Sequence, residues 1–333
     1  MGMKPRVAFI GTGGTISSMG NSPLDLMDYS VNGRMMVAEE ILQRFPEVAL
    51  VADVFAVPFS NVPSWAISFP QWKALVETCD RLVATEPDLA GIVIGHGTAT
   101  LEETAYALNL ALKVPVPVVV VGSQRPASAL STDAGLNLLN AVRVAADPRA
   151  RGLGTLVVLN DEIHPAREVT KTSTSRLQTF RAPDFGCLGH CDGDRISWYR
   201  KPVRTGAPDT EFDIRGLEAL PRVDISYAYA GNDSTAVDAF LAAGAQGIVS
   251  AGFAPGFCGA AEAQALSAAA QRGVAVVQCS RAGSGRVFPT VRIKENGFIA
   301  ADNLTPQKAR ILLSFALTVT KDPAEIVRMF DTY

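Results

Sequence analysis

The run LAGIVIGHGTATLEETAYALNLALK, residues 89–113, decides how the rest of the chain is read. Its first seven residues form a short apolar run that fits a strand covered on both faces. The middle, GHGTAT, is a loop of glycine and hydroxyls, and the remainder carries the apolar spacing of a helix. Strand, loop and helix in immediate succession form the repeating unit of a parallel α/β sheet.

The same alternation extends outward. RVAFIGT, ALVADVFAVPF, VPVVVVGS and LGTLVVLND read as further strands, so the first domain is expected to hold five. FPQWKALVETCDRLVAT and STDAGLNLLNAVRVAAD read as helices. After a polar stretch broken by Pro202, Pro208 and Pro221, the pattern restarts with VDISYAYA, STAVDAFLAAGA, GIVSAG, AAEAQALSAAAQRG, VAVVQCS and a terminal helix from TPQKARILLSFALT. The expectation is a larger amino-terminal parallel-sheet α/β domain over residues 1–205, a linker over 206–222 and a smaller carboxyl-terminal α/β domain over 223–333.

Composition narrows the function. With 333 residues, 48% of them hydrophobic, the chain can bury a substantial core. Thirty basic residues against 33 acidic ones, interspersed, leave no basic stripe for a nucleic acid. No apolar run reaches the roughly 18–20 residues that span a bilayer, and MGMKPR passes directly into VAFIGTGGT without a secretory leader, so a cytoplasmic location is expected, with no membrane partner. The five cysteines are scattered and suit reduced thiols. CLGHC, residues 187–191, offers Cys187, His190 and Cys191 but no second Cys/His cluster, so neither a metal nor a cofactor is expected.

In open α/β sheets ligands sit beyond the carboxyl ends of the strands. Four polar segments lie there: GTGGTIS (11–17), HGTATLEET (96–104), VGSQRP (121–126) and HPAREVTKTST (164–174). The first is neither a dinucleotide loop, since Ile16 takes the place of the third glycine, nor a Walker loop, since no Gly-Lys-Ser/Thr follows. Lys171 lies between Thr170 and Thr172 with no adjacent carboxylate, as a solvated surface lysine would. Its combination with threonines at other strand ends changes that reading. A threonine hydroxyl needs a base to become a nucleophile, and a lysine in a dry cleft can have its pKa lowered enough to serve.

These segments carry a resemblance that covers nearly the whole chain. TGGTI, HGT-T-LEETA, VGSQRP, DAGLNLLNA, VLND, VTKT, GIVSAG and TPQKAR are similar in order and spacing to the bacterial-type L-asparaginase/glutaminase amidohydrolases. The resemblance implies a large catalytic α/β domain, a smaller carboxyl-terminal one, a small-molecule substrate, and homodimers or homotetramers with active sites at subunit contacts. It also implies roles: Thr15 as nucleophile with Tyr29 as its partner, Thr98 as second catalytic threonine with Lys171 as its lysine, and Ser64 on the substrate's α-carboxylate.

Other positions depart from the family. Ala99 stands where the motif normally carries the aspartate that supports the lysine and pairs with the substrate's α-ammonium. Trp65 replaces a glutamine or small polar residue, and Thr290 falls where a glutamate arrives from the neighbouring subunit. Pro255 and Phe257 take the place of asparagines. An ammonium buried without a carboxylate loses its compensation for desolvation. The expected function is therefore hydrolysis of an amide, lactam or cyclic imide whose acid portion has a carboxylate but no α-amino group. Glu295 is a candidate to replace the missing charge. The alternatives are an ordinary cytoplasmic L-asparaginase/glutaminase with Ala99 engineered or tolerated, and a non-catalytic small-metabolite-binding protein. Retention of Thr15, Tyr29, Thr98 and Lys171 together argues against the latter, since a binder needs no nucleophile.

Overall fold

The computed structural model describes residues 3–333. The chain divides into two compact units, Met1–Thr210 and Glu211–Tyr333. In the first unit, eight strands form one sheet: β1 (Arg6–Gly11), β2 (Asp53–Val57), β3 (Leu89–Gly95), β4 (Val118–Val121), β5 (Thr155–Leu159), β6 (Glu162–Pro165), β7 (Gly189–Cys191) and β8 (Ile196–Trp198). Their order is β8-β7-β6-β5-β4-β3-β1-β2, with β2, β1, β3, β4 and β5 parallel and the last three antiparallel. The five parallel strands coincide with the five expected ones. The three antiparallel strands correct the expected total: each is only three or four residues long, and segments such as EIHP and GHC carry neither a continuous apolar run nor a clean alternation.

The strands are strands because nearly every side chain on them meets apolar cover. Val7, Phe9, Val93, Val119, Val121, Leu156 and Val158 pack in one cluster with Ile41 of helix α1 (Ala38–Arg44) and with Leu138, Ala141 and Val142 of the helix Ala134–Ala145. The alternate residues Ala8, Ile10, Ile92, Ile94 and Val120 are also fully buried and point to the opposite face. Helices α2 (Phe69–Thr85) and α3 (Leu101–Ala111) lie there, joined by a hydrogen bond from Trp72 Nε1 to Thr104 Oγ1 at 3.0 Å, and Ala134–Ala145 is α4. Each fully buried Val, Ile or Phe contributes about 1.5–3 kcal/mol, so the sheet centre is the rigid part on which loops are hung.

Strand order reverses at β1, whose neighbours β2 and β3 lie on opposite sides. A crevice therefore opens beyond the carboxyl ends of β1 and β3, the switch point at which open α/β sheets bind ligands. The loops leaving those strands carry Thr15 and Thr98.

The second unit has a four-stranded, all-parallel sheet in the order β9 (Val223–Tyr227), β10 (Gly247–Gly252), β11 (Ala275–Ser280) and β12 (Ile299–Ala300). Helices α5 (Thr235–Ala242), α6 (Ala260–Gln271) and α7 (Pro306–Val319) match the expected ones, and α8 (Pro323–Thr332) follows. The stretch 206–222 is tied down at several points. Ala207 N donates to Asn109 O at 2.8 Å in the first unit, and in the second the fully buried Phe212 meets Phe315 edge-on at 5.7 Å. Among the described residues no helix is long and apolar enough to cross a membrane, and no group of three or more His, Cys, Asp or Glu is placed to hold a metal.

Candidate active site

Three backbone segments meet at the head of the crevice. Gly14 has φ +82°, in the left-handed region, and a Cβ on it would lie 2.1 Å from the Cα of Gly97. A Cβ on Gly97 would lie 2.8 Å from Ser64 Oγ. Only glycines let the loops after β1 and β3 touch, and this contact brings Thr15, Ser64 and Thr98 to one wall. Thr12 locks the arrangement from below, its amide and its Oγ1 both donating to Gly95 O at 2.9 Å.

The result is an open cavity of about 320 Å³ whose lining includes Thr15, Tyr29, Ser64, Trp65, Thr98, Ala99 and Lys171. Seven of the residues singled out from the sequence thus share one cavity, within the first unit. Thr15 Oγ1 and Tyr29 OH are 3.0 Å apart, and Lys171 Nζ donates to Thr98 Oγ1 at 2.8 Å. Tyr29 rides on a loop closed by the short antiparallel ladder Ser18↔Met35 and Met19↔Arg34. Lys171 comes from a second such ladder, Phe180↔Lys171 and Arg181↔Thr170.

Electrostatics are one-sided. Among the described residues the lining contains two cations, Arg34 and Lys171, and no carboxylate. Arg34 Nη1 is held by both oxygens of Glu40, at 2.9 and 3.0 Å. Burial pushes the Lys171 ammonium below the ordinary lysine pKa, while the carboxylate of Glu102 acts in the opposite sense. Sequence reasoning placed no carboxylate beside Lys171, and Glu102 corrects that: its Oε1 accepts a hydrogen bond from the Lys171 amide at 3.3 Å. The available signal was spacing, since Glu102 follows Thr98 by four residues and opens a helix buried on almost every side.

VGSQRP does not line the cavity. The amides of Gln124 and Arg125 donate to Asp133 at 2.9 Å each, Ser123 Oγ donates to Arg125 O at 2.7 Å, and Asn137 Nδ2 donates to Gly122 O at 3.0 Å. VGSQRP and DAGLNLLNA are therefore two halves of one brace. In CLGHC, Cys187 Sγ and His190 Nε2 contact each other at 3.5 Å.

Phe257 and Thr290 belong to the second unit. Phe257 is exposed and lies under the Arg292 guanidinium, 6.0 Å from the ring centre. Thr290 caps the short helix Val291–Glu295, its Oγ1 accepting from Ile293 N at 3.3 Å. Pro255 lies in the same tight turn as Phe257, where Phe257 N donates to Phe253 O at 2.8 Å, and Glu295 is exposed at the end of the Val291–Glu295 helix.

The sequence matches the family described as "Asparaginase, N-terminal" over residues 6–204 and the "Glutaminase/Asparaginase C-terminal domain" over residues 222–330. The chain belongs to the asparaginase family. Asparaginase-family proteins similar to it include "L-asparaginase 2" of Bacillus subtilis, 41% identical over 99% of this chain and 87% of that protein. Another is "Probable L-asparaginase periplasmic" of Haemophilus influenzae, 38% identical over 99% of this chain and 93% of that protein. Among solved structures, a "Probable Cytoplasmic L-asparaginase" from Campylobacter jejuni superposes with a TM-score of 0.94 at 36% identity, covering 99% of this chain and all of that one. As an asparaginase-family member, the chain is an amidohydrolase acting on C–N bonds.

Proposed function

We propose that the protein hydrolyses an amide, lactam or cyclic imide of a carboxylate-bearing substrate that lacks an α-amino group, through an acyl ester on Thr15. One observation carries the reading: a cavity holding the hydroxyl pair of Thr15 and Tyr29 and the hydroxyl–amine pair of Thr98 and Lys171 is lined, among the described residues, by no acid, with a methyl group at position 99. Such a wall offers an α-ammonium no partner and leaves it desolvated and unpaired, a cost of several kcal/mol. Trp65 adds a broad apolar surface at the mouth, 69% exposed in the single chain. Phe257 and Thr290 enter this reading as substrate-contacting residues of an assembled homodimer or homotetramer, and the location is taken as cytoplasmic.

In this reading Thr15 Oγ1 attacks the carbonyl carbon while its proton leaves through the hydroxyl and amine network of Tyr29, Thr98 and Lys171. The tetrahedral oxyanion is held by backbone amides near Thr98, ahead of the α3 amino terminus, whose dipole favours negative charge. Collapse breaks the C–N bond as the nitrogen takes a proton, and water then adds to the ester, releasing the acid and restoring Thr15. Ser64 binds the substrate carboxylate.

The test compares ammonia release from asparagine, glutamine and succinamic acid, and ring opening of carboxylate-bearing lactams, in wild type, Thr15→Ala and Ala99→Asp. A des-amino compound should be the better substrate, and Ala99→Asp should move preference toward asparagine by about 10- to 100-fold. Thr15→Ala should retain less than about a hundredth of the rate, a loss of over ~3 kcal/mol in transition-state stabilisation. An ordinary asparaginase efficiency of ~10⁴ M⁻¹s⁻¹ or better on asparagine, exceeding every des-amino compound, would overturn the specificity reading in favour of a plain asparaginase.

A further inference from the structure

Glu102 is an anomaly that the reaction above does not use. It is 6% exposed, in the first turn of α3, among neighbours that are almost all buried. Oε1 accepts from the Lys171 amide at 3.3 Å, and Oε2 is buried with no hydrogen-bond partner. A buried carboxylate oxygen without a donor is costly unless a nearby charge offsets it. The α3 amino terminus offsets part of that cost. What remains is the Lys171 ammonium, the charged group on the same segment as the amide that Glu102 holds.

We propose that Glu102 is the positioning residue for Lys171: it fixes the lysine's backbone through the amide and supplies, from beneath the site, the counter-charge that position 99 no longer provides. This rests on the reading of Lys171 as the proton-transfer group. The groups around Lys171 are the Thr98 hydroxyl from the loop after β3, Glu102 from α3, and Phe180 and Arg181 across the two-residue ladder. Arg181 is exposed and turns its Nε toward Gln178 O at 3.3 Å. Arg34 and Tyr29 line the same cavity, and the Glu102 carboxylate acts to retain the Lys171 proton against the desolvation of burial. The arrangement divides two duties that one aspartate at position 99 would combine. The lysine keeps a carboxylate partner, while the cavity wall above it is left free of negative charge. Substrate selectivity and lysine basicity are thereby set by different residues.

The test reads the Lys171 amine directly, by the pH dependence of its side-chain NMR signals in lysine-labelled protein, assigned with Lys171→Met. Glu102→Gln keeps an acceptor for the Lys171 amide and removes the charge, so the Lys171 titration should fall by on the order of one pH unit. Glu102→Asp, which keeps the charge, should restore most of it. The acidic limb of kcat/KM on the preferred amide should follow the same order. A purely structural role would lower the melting temperature and leave the titration in place, and that result overturns the proposal. Should Glu102→Gln fail to fold, a double-mutant cycle of Lys171→Met with Glu102→Asp, read by denaturant unfolding, replaces it: the two losses should be non-additive, and strictly additive losses overturn the pairing. If the Lys171 titration moves with Glu102→Gln but the rate profile does not, the pairing stands and the role of Lys171 in proton transfer fails.

Discussion

At residue 96 the first-unit core and the cavity loop share a side chain with competing demands. His96 is fully buried, its Nδ1 lies 2.7 Å from Gly97 O, and its Nε2 has no hydrogen-bond partner. Burial pulls its pKa down to about 4, against an ordinary 6.5. Above pH ~6.5 both folded and unfolded chains hold the neutral imidazole. As the pH falls from there toward ~4, the unfolded chain takes up a proton that the folded chain refuses, so stability is lost across that window. The loss attributable to this residue levels off near ~3 kcal/mol below pH 4. Denaturant unfolding at stepped pH should show His96→Asn flatter than wild type between pH 6.5 and 4. Parallel curves through that window would mean that the buried ring accepts its proton without penalty.

On the scale of elements, the sequence was most legible where physics is local and one-sided. Strands β1, β3, β4 and β5 are buried on both faces and read as continuous apolar runs, the edge strand β2 is half-buried and reads through its VFAV stretch, and α2 coincides with FPQWKALVETCDRLVAT because Ser68 and Gln71 mark its start, the Ser68 amide donating to Gln71 Oε1 at 3.0 Å. The antiparallel strands β6 to β8 were not legible, because their register is set by neighbours already in the sheet rather than by their own pattern. Glu102 was missed for a related reason: its meeting with Lys171 spans 69 positions, and only the folded sheet brings them together. What the glycines of GTGGTIS approach was not readable either, since Gly97 lies on the loop of another strand. That contact yields a prediction. Gly14→Ala must place a Cβ into Gly97 and hold a positive φ, so it should cost ~3 kcal/mol or more and separate Thr15 from Thr98. Melting temperature and turnover should both drop, and a variant with native stability and native rate would show that the loops need not touch.

For the whole molecule, the cavity described in a single chain is lined by the first unit, and its exposed flank includes Trp65 and Ala99. The second unit carries its own exposed apolar residues, among them Phe257 at 43% and Val291 at 71%. Scattered singly, such residues need no explanation, but Phe257, like Thr290, is among the positions expected from the sequence to depart from the asparaginase pattern. The expectation is that a second copy covers the cavity mouth and that the specificity residues act only in the assembly. Diluting the protein through its dissociation range should then lower specific activity in step with the dimer or tetramer fraction read by sedimentation. Phe257→Ala should raise KM in the assembled protein more than it lowers kcat, because a wall that contacts substrate and transition state alike contributes uniform binding. Full specific activity in a monomer would falsify the shared site and leave the first unit alone responsible for both chemistry and selectivity.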